Sequence, residues 1–135
     1  MKEATHNTYI LTEKKYKEFY KKMGVKVVTK DSFIYKLSYK LLMLCRKPEL
    51  YFLLVNKSSL FVLLGGSLFA EIKGELAEQQ QFVNLDYATT KAEKAFVIGS
   101  NFGPYTHEKY KKQYEVLFGK MEDVSFRDKM SFDLF

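Results

Sequence analysis

A chain of 135 residues, 47% apolar and 16% aromatic, carries enough large side chains for one packed core, which argues against a disordered chain. Its 22 basic and 16 acidic residues give +6 and are interspersed along the chain, a balance that suits a phosphorylated metabolite, an anionic membrane face, nucleic acid or simply a lysine-rich surface. The single cysteine, Cys45, excludes an intrachain disulfide and leaves no second thiol for a zinc site, so no metal is expected and the chain reads as cytoplasmic.

The N-terminal "MKEATHNTYILTEKKYKEF" has no apolar stretch of signal-peptide length. Within it, "TYILT" (8–12) is a short β-rich run. Tyr16, Phe19, Tyr20 and Met23 then recur at helical spacing, and Gly24 supplies a stop. A second strand is predicted at "VKVVT" (25–29), after which Asp31 or Ser32 caps a helix running to about Cys45, ended by the approach of Pro48. This helix sets Lys36, Lys40 and Lys47 within about 40° of one another, with Phe33, Leu37, Leu41 and Leu44 elsewhere on the wheel. Segment 32–47 therefore reads either as a basic amphipathic helix on anionic lipid or as a helix packed on a sheet with its lysines in water. Charges and Pro48 break the apolar region 33–55 too often for a membrane-spanning helix.

A further helical turn is expected in "ELYFLLVN", and then "SLFVLL" reads as a strand covered on both faces, because it lacks alternation. The second half repeats the rhythm: a helix-tolerant segment from about Gly74 to Lys94, the strand "AFVIG", a helix after Pro104, the strand "DVSF" and the terminal "KMSFDLF". In the helix after Pro104, Tyr110, Tyr114, Leu117, Phe118 and Met121 form an apolar stripe opposite Lys109, Lys111, Lys112 and Glu115. Alternating strands and helices predict an α/β, Rossmann-like, mainly parallel sheet with helices on both faces, whose ligands bind beyond the carboxyl ends of the strands.

Three strand ends carry small or polar residues: Gly65, Gly66 and Ser67; Gly99, Ser100 and Asn101; and Arg127 with Asp128. Glycines there permit positive φ and close backbone approach, while exposed N–H groups and short hydroxyls receive an oxyanion; the same glycines also serve a plain turn. "GGSLFAEIKG" fits neither a dinucleotide fingerprint nor a phosphate loop, so no nicotinamide cofactor or ATP is expected. No G-x-S-x-G elbow exists, and with only His6 and His107 a serine triad is not predicted.

The ordered series "LLGGSLFAE", "FVIGSNFGPY" and "VSFRDKMSFDLF" resembles the polysaccharide pyruvyl transferase family, in which a GG(G)S tip, an I-G-x-x-x-G-P tip and an S-x-R-(D/E)-x-x-S junction follow one another. The resemblance covers 58–135 best. It implies that 1–135 is a single α/β domain equivalent to the N-terminal half of a two-domain fold like the GT-B glycosyltransferases, cut short at its C-terminus. It further implies a transferase of exopolysaccharide and cell-envelope biosynthesis, which moves a pyruvyl group from phosphoenolpyruvate to a sugar hydroxyl, usually as a cyclic ketal. The acceptor is often lipid-linked, which fits a protein peripheral to the inner face of the membrane. Donor-binding Arg and His residues belong to the family's second domain, so no catalytic residue is assigned and the isolated chain is expected to be inactive.

Substrate-binding candidates are Gly65, Gly66, Ser67, Glu71, Ser100, Asn101, Gly103, Arg127, Asp128 and Ser131. Arg127 matches a phosphate or carboxylate, or else pairs with Asp123, Asp128 or Asp133. Glu71 reads as a general base for a sugar hydroxyl or as a helix-start carboxylate, and His107 as a solvent-exposed residue in the turn capped by Thr106. The rival class is a non-enzymatic, flavodoxin-like module that binds a phosphorylated ligand or a partner protein. Nucleic acid is not an expected partner, because only the charge argues for it.

Overall fold

In a computed structural model of the chain, residues 7–57, 59–71 and 75–135 are described, with 75–79 described by backbone alone. His6 and the expected helix start at Gly74 lie outside them. Strand β1 (Tyr9–Thr12) leads through a 3-10 turn into helix α1 (Lys17–Lys22), which stops at Met23 and Gly24, the latter at φ +75°. Strand β2 (Lys26–Thr29) pairs with β1 in parallel, and helix α2 (Phe33–Leu44) follows. Of the two expected caps it is Ser32 that acts, its hydroxyl accepting from the Tyr35 N–H.

The second sheet is the larger. Strands β3 (Leu60–Phe69), β4 (Lys94–Phe102) and β5 (Asp123–Phe126) are parallel in the order β3-β4-β5, joined by helices α3 (Glu75–Lys91) and α4 (Glu108–Phe118) and followed by α5 (Lys129–Leu134). The α/β class and the parallel pairing follow the sequence reading, with the strands divided between two sheets. Burial of "SLFVLL" on both faces does not hold among the described residues. Phe61 is buried and Leu63 half-buried, whereas Leu60, Val62 and Leu64 are exposed, as is Ile98 opposite Leu64. The strand thus alternates by environment where its composition does not.

The covered face holds an aromatic core. Tyr110, Tyr114, Leu117 and Phe118 of α4 are buried as their stripe predicts, and they meet Phe69 and Phe102 from the two neighbouring strands. Phe69 meets Tyr114 and Phe118 edge-on, and Phe102 meets Phe135 in the same way, as the ring quadrupoles prefer. Phe135 closes the cluster, 5.1 Å from both the Phe102 and Phe118 rings.

A polar clamp ties the first half to the second. The buried Tyr35 hydroxyl donates to the Glu49 carboxylate, whose other oxygen accepts from Asn84 Nδ2 at 2.5 Å. The Glu49 N–H in turn donates to Asn84 Oδ1 at 2.8 Å. Burial first, then the bond to Glu49, pushes the Tyr35 phenol far above its ordinary range, so it stays a donor. This clamp sets which face of α2 is buried.

Candidate functional site at the sheet edge

Gly65 and Gly66 do not end β3. Both take left-handed φ, +56° and +91°, and the strand continues through a register shift to Phe69. Likewise β4 passes through Gly99, at φ +65°, and runs on to Phe102. The expected strand ends at Leu64 and Gly99 are therefore corrected: left-handed glycines kink each strand where its pairing register shifts, and each strand then resumes. Gly66 lies opposite Ser100, and Ser100 lies opposite Phe126. The Arg127 N–H donates to the Ser100 carbonyl at 2.9 Å. The three polar stretches thus stand side by side at one edge of one sheet.

They are not equivalent there. Gly66, Ser67 and Arg127 are exposed, and no ion pair to Arg127 is present among the described residues, its expected partners Asp123, Asp128 and Asp133 included. Ser100 is fully buried and donates its hydroxyl to the Gly65 carbonyl at 3.4 Å, across the two kinks. Gly103 is buried too, its N–H donating to the Phe69 carbonyl at 2.7 Å. Ser131 is buried under Asp128, which caps α5 by accepting from the Ser131 N–H at 2.8 Å. The bond from the Ser131 amide, before any other cause, holds the Asp128 carboxyl below its ordinary value. Asn101 Nδ2 donates to the same carboxylate, which joins the second stretch to the third. Ser125, which the sequence reading passed over, accepts from the Gly99 N–H at 3.1 Å; its place in the S-x-R run was the available signal.

Glu71 follows β3 and reaches across to the segment ahead of α4. Its carboxylate accepts from the Thr106 N–H, from the Thr106 hydroxyl at 2.8 Å and from the His107 N–H at 3.0 Å, and it meets His107 Nδ1 at 2.5 Å. Thr106 is therefore not the cap of α4; the cap position falls on His107, whose side chain makes no capping bond, and Glu71 serves these N–H groups across space. The Thr106 amide is the largest cause, the bonds from His107 and the Thr106 hydroxyl add to it, and the carboxyl falls to about 2. A carboxylate held so low is a poor proton acceptor near neutrality, which argues against the general-base reading.

Two open hollows, of about 400 and 420 Å³, lie around Gly119 to Val124 and around Arg46 to Pro48 with α3, away from these stretches. A family model for polysaccharide pyruvyl transferase matches residues 2–135. The chain belongs to the polysaccharide pyruvyl transferase family. No curated protein and no solved structure matches it. The family's function requires a sugar or polysaccharide acceptor. In this pyruvyl transferase-family chain the sheet edge presents a hydroxyl and an open backbone on β3 and a guanidinium just past β5, on either side of β4.

The depressed Glu71 carboxyl carries a pH signature. Its folded value lies below the ordinary 4.5, so its contribution to stability is present above pH 4.5 and fades as pH falls toward about 2. The stability gap between the native chain and Glu71→Gln is therefore expected to be widest near neutrality and to narrow below pH 4.5. Urea unfolding at pH 7, 4 and 2.5 measures it, and a gap independent of pH would contradict the assignment.

Proposed function

We propose that this edge is the acceptor-side wall of a cleft in which a pyruvyl group passes from phosphoenolpyruvate to a sugar hydroxyl of a cell-surface polysaccharide or its precursor. In the proposed step the hydroxyl oxygen bonds to C2 of the enol ester, and its proton goes to a base while C3 receives one from an acid. A second hydroxyl then bonds to C2 as the C2–O bond to phosphate breaks, and its proton passes to the departing phosphate, which leaves a cyclic ketal and inorganic phosphate. The chemistry needs cations for the donor's phosphate and carboxylate, and Arg127 supplies one from the edge.

The observation that carries this reading is the exposure of Gly66 and Ser67 on β3 and of Arg127 just past β5, on the two strands that flank β4 at one edge of the sheet. An open wall of this kind fits a cleft completed by a second, donor-binding domain. A donor drawn from central metabolism and a lipid-linked acceptor would put the reaction on the cytoplasmic face of the membrane.

Ser67→Ala tests it. The hydroxyl is exposed and makes no bond within the described residues, so the melting temperature should stay unchanged while acceptor affinity falls by about 0.5–1.5 kcal/mol. Titration of oligosaccharide acceptors followed by amide chemical shifts would read this. A variant that melts lower and binds acceptor as before would assign Gly65-Gly66-Ser67 to folding alone. Phosphate release from phosphoenolpyruvate by the 135-residue chain alone would contradict the need for a separate donor half.

A further inference from the structure

Helix α2 is two-faced in an unusual sense. Tyr35 is buried and locked to Glu49, and Ser38, Tyr39, Leu42 and Met43 are partly covered on the same side. At about 100° per residue, Phe33, Ile34, Leu37, Leu41 and Leu44 fall within one arc of roughly 100° on the other side. All five are exposed, Phe33 by 79% and Leu44 by 82%. Lys36 and Lys40 border the arc beside Phe33, exposed as well, and no acidic residue lies in the helix. Every exposed side chain from Phe33 to Leu44 is thus a lysine or a large apolar group.

Charge is divided along the chain in the same sense. Although the two signs alternate locally, residues 7–57 carry twelve Lys and Arg against four Asp and Glu, whereas residues 58–135 carry nine against eleven. The positive excess therefore lies wholly in the part of the chain that presents the apolar arc. No helix among the described residues is long and apolar enough to cross a membrane, so a lipid contact would lie on the surface.

We propose that α2 docks the protein on an anionic bilayer, with Phe33, Leu37, Leu41 and Leu44 entering the headgroup boundary and Lys36 and Lys40 reaching lipid phosphates. A second copy of the chain would cover the apolar arc equally well, but stacking two lysine-bordered arcs brings like charges together. An anionic lipid surface satisfies both halves of the face at once. The proposal stands apart from the transferase reading, since vesicle binding and acceptor binding can each fail without the other.

The chain has no tryptophan, so Phe33→Trp is a local probe. With vesicles of phosphatidylcholine and phosphatidylglycerol its emission is expected to shift to the blue, and with phosphatidylcholine alone to shift far less. Co-sedimentation should weaken roughly fivefold for each lysine removed in Lys36→Gln and Lys40→Gln, and also as salt rises. Leu37→Gln with Leu41→Gln should abolish the shift. All of these positions are exposed, so the melting temperature should hold in each variant. Three results overturn the proposal: no sedimentation with anionic vesicles, equal binding to neutral ones, or a concentration-dependent dimer that the leucine substitutions dissociate.

Discussion

Phe102→Ala is expected to cost about 3–5 kcal/mol of stability, against the roughly 5–15 kcal/mol that holds a typical domain folded. Phe102 is fully buried, and the rings of Tyr105, Tyr110, Tyr114, Phe118, Phe126 and Phe135 stand 5.1–6.3 Å from its own. Rings arrive from the segment before α4, from α4 itself, from β5 and from Phe135, so a void there is walled by four separate stretches that cannot all close on it. Phe102→Leu keeps most of the volume and should lose about 1–2 kcal/mol. Chemical denaturation with an unchanged m-value reads both losses, and a Phe102→Ala loss below about 1 kcal/mol would mean the cluster collapses freely. The consequence reaches the edge, because Phe102 sits between Asn101 and Gly103 and supports the segment that carries Arg127 and Asp128.

Gly65→Val should cost about 2–3 kcal/mol for a different reason. A Cβ at Gly65 would meet nothing nearer than the Gly99 carbonyl at 3.9 Å, so the space is adequate and the penalty is conformational. At φ +56° a β-branched residue is strongly disfavoured, Ala loses about 1–2 kcal/mol, and Asn, which tolerates the left-handed region, loses less. The order Asn, then Ala, then Val is the signature; equal losses for Ala and Val would contradict the positive φ. Since the Gly65 carbonyl accepts the Ser100 hydroxyl, Gly65→Val should also shift the edge and weaken acceptor binding together with stability. Ser67→Ala separates the two effects, and Gly65→Val joins them.

Much of this was legible in the residues because its causes are local. The α4 stripe, the Gly24 stop, the Ser32 cap and the alternation of strands with helices depend on side chains within a few positions of each other. The parallel order of β3, β4 and β5 followed from that alternation, since helical crossovers return the chain in the same direction. The ordered motifs identified the family.

Which of the polar residues face outward was decided only by the tertiary structure. "GGS" and "GSN" read alike in sequence, yet Ser67 is exposed and Ser100 is fully buried. The reason is strand position: β4 is central, paired on both sides, while β3 pairs on one side only. Glu71 shows the same limit, because a residue that reads in sequence as a helix-start carboxylate instead serves the N–H groups of Thr106 and His107, 35 and 36 residues on. The outward turn of the α2 arc was likewise set by Tyr35, whose buried phenol is held through Glu49 to Asn84 of α3. Periodicity states which residues share a face; contacts between segments distant in sequence choose the face that is covered.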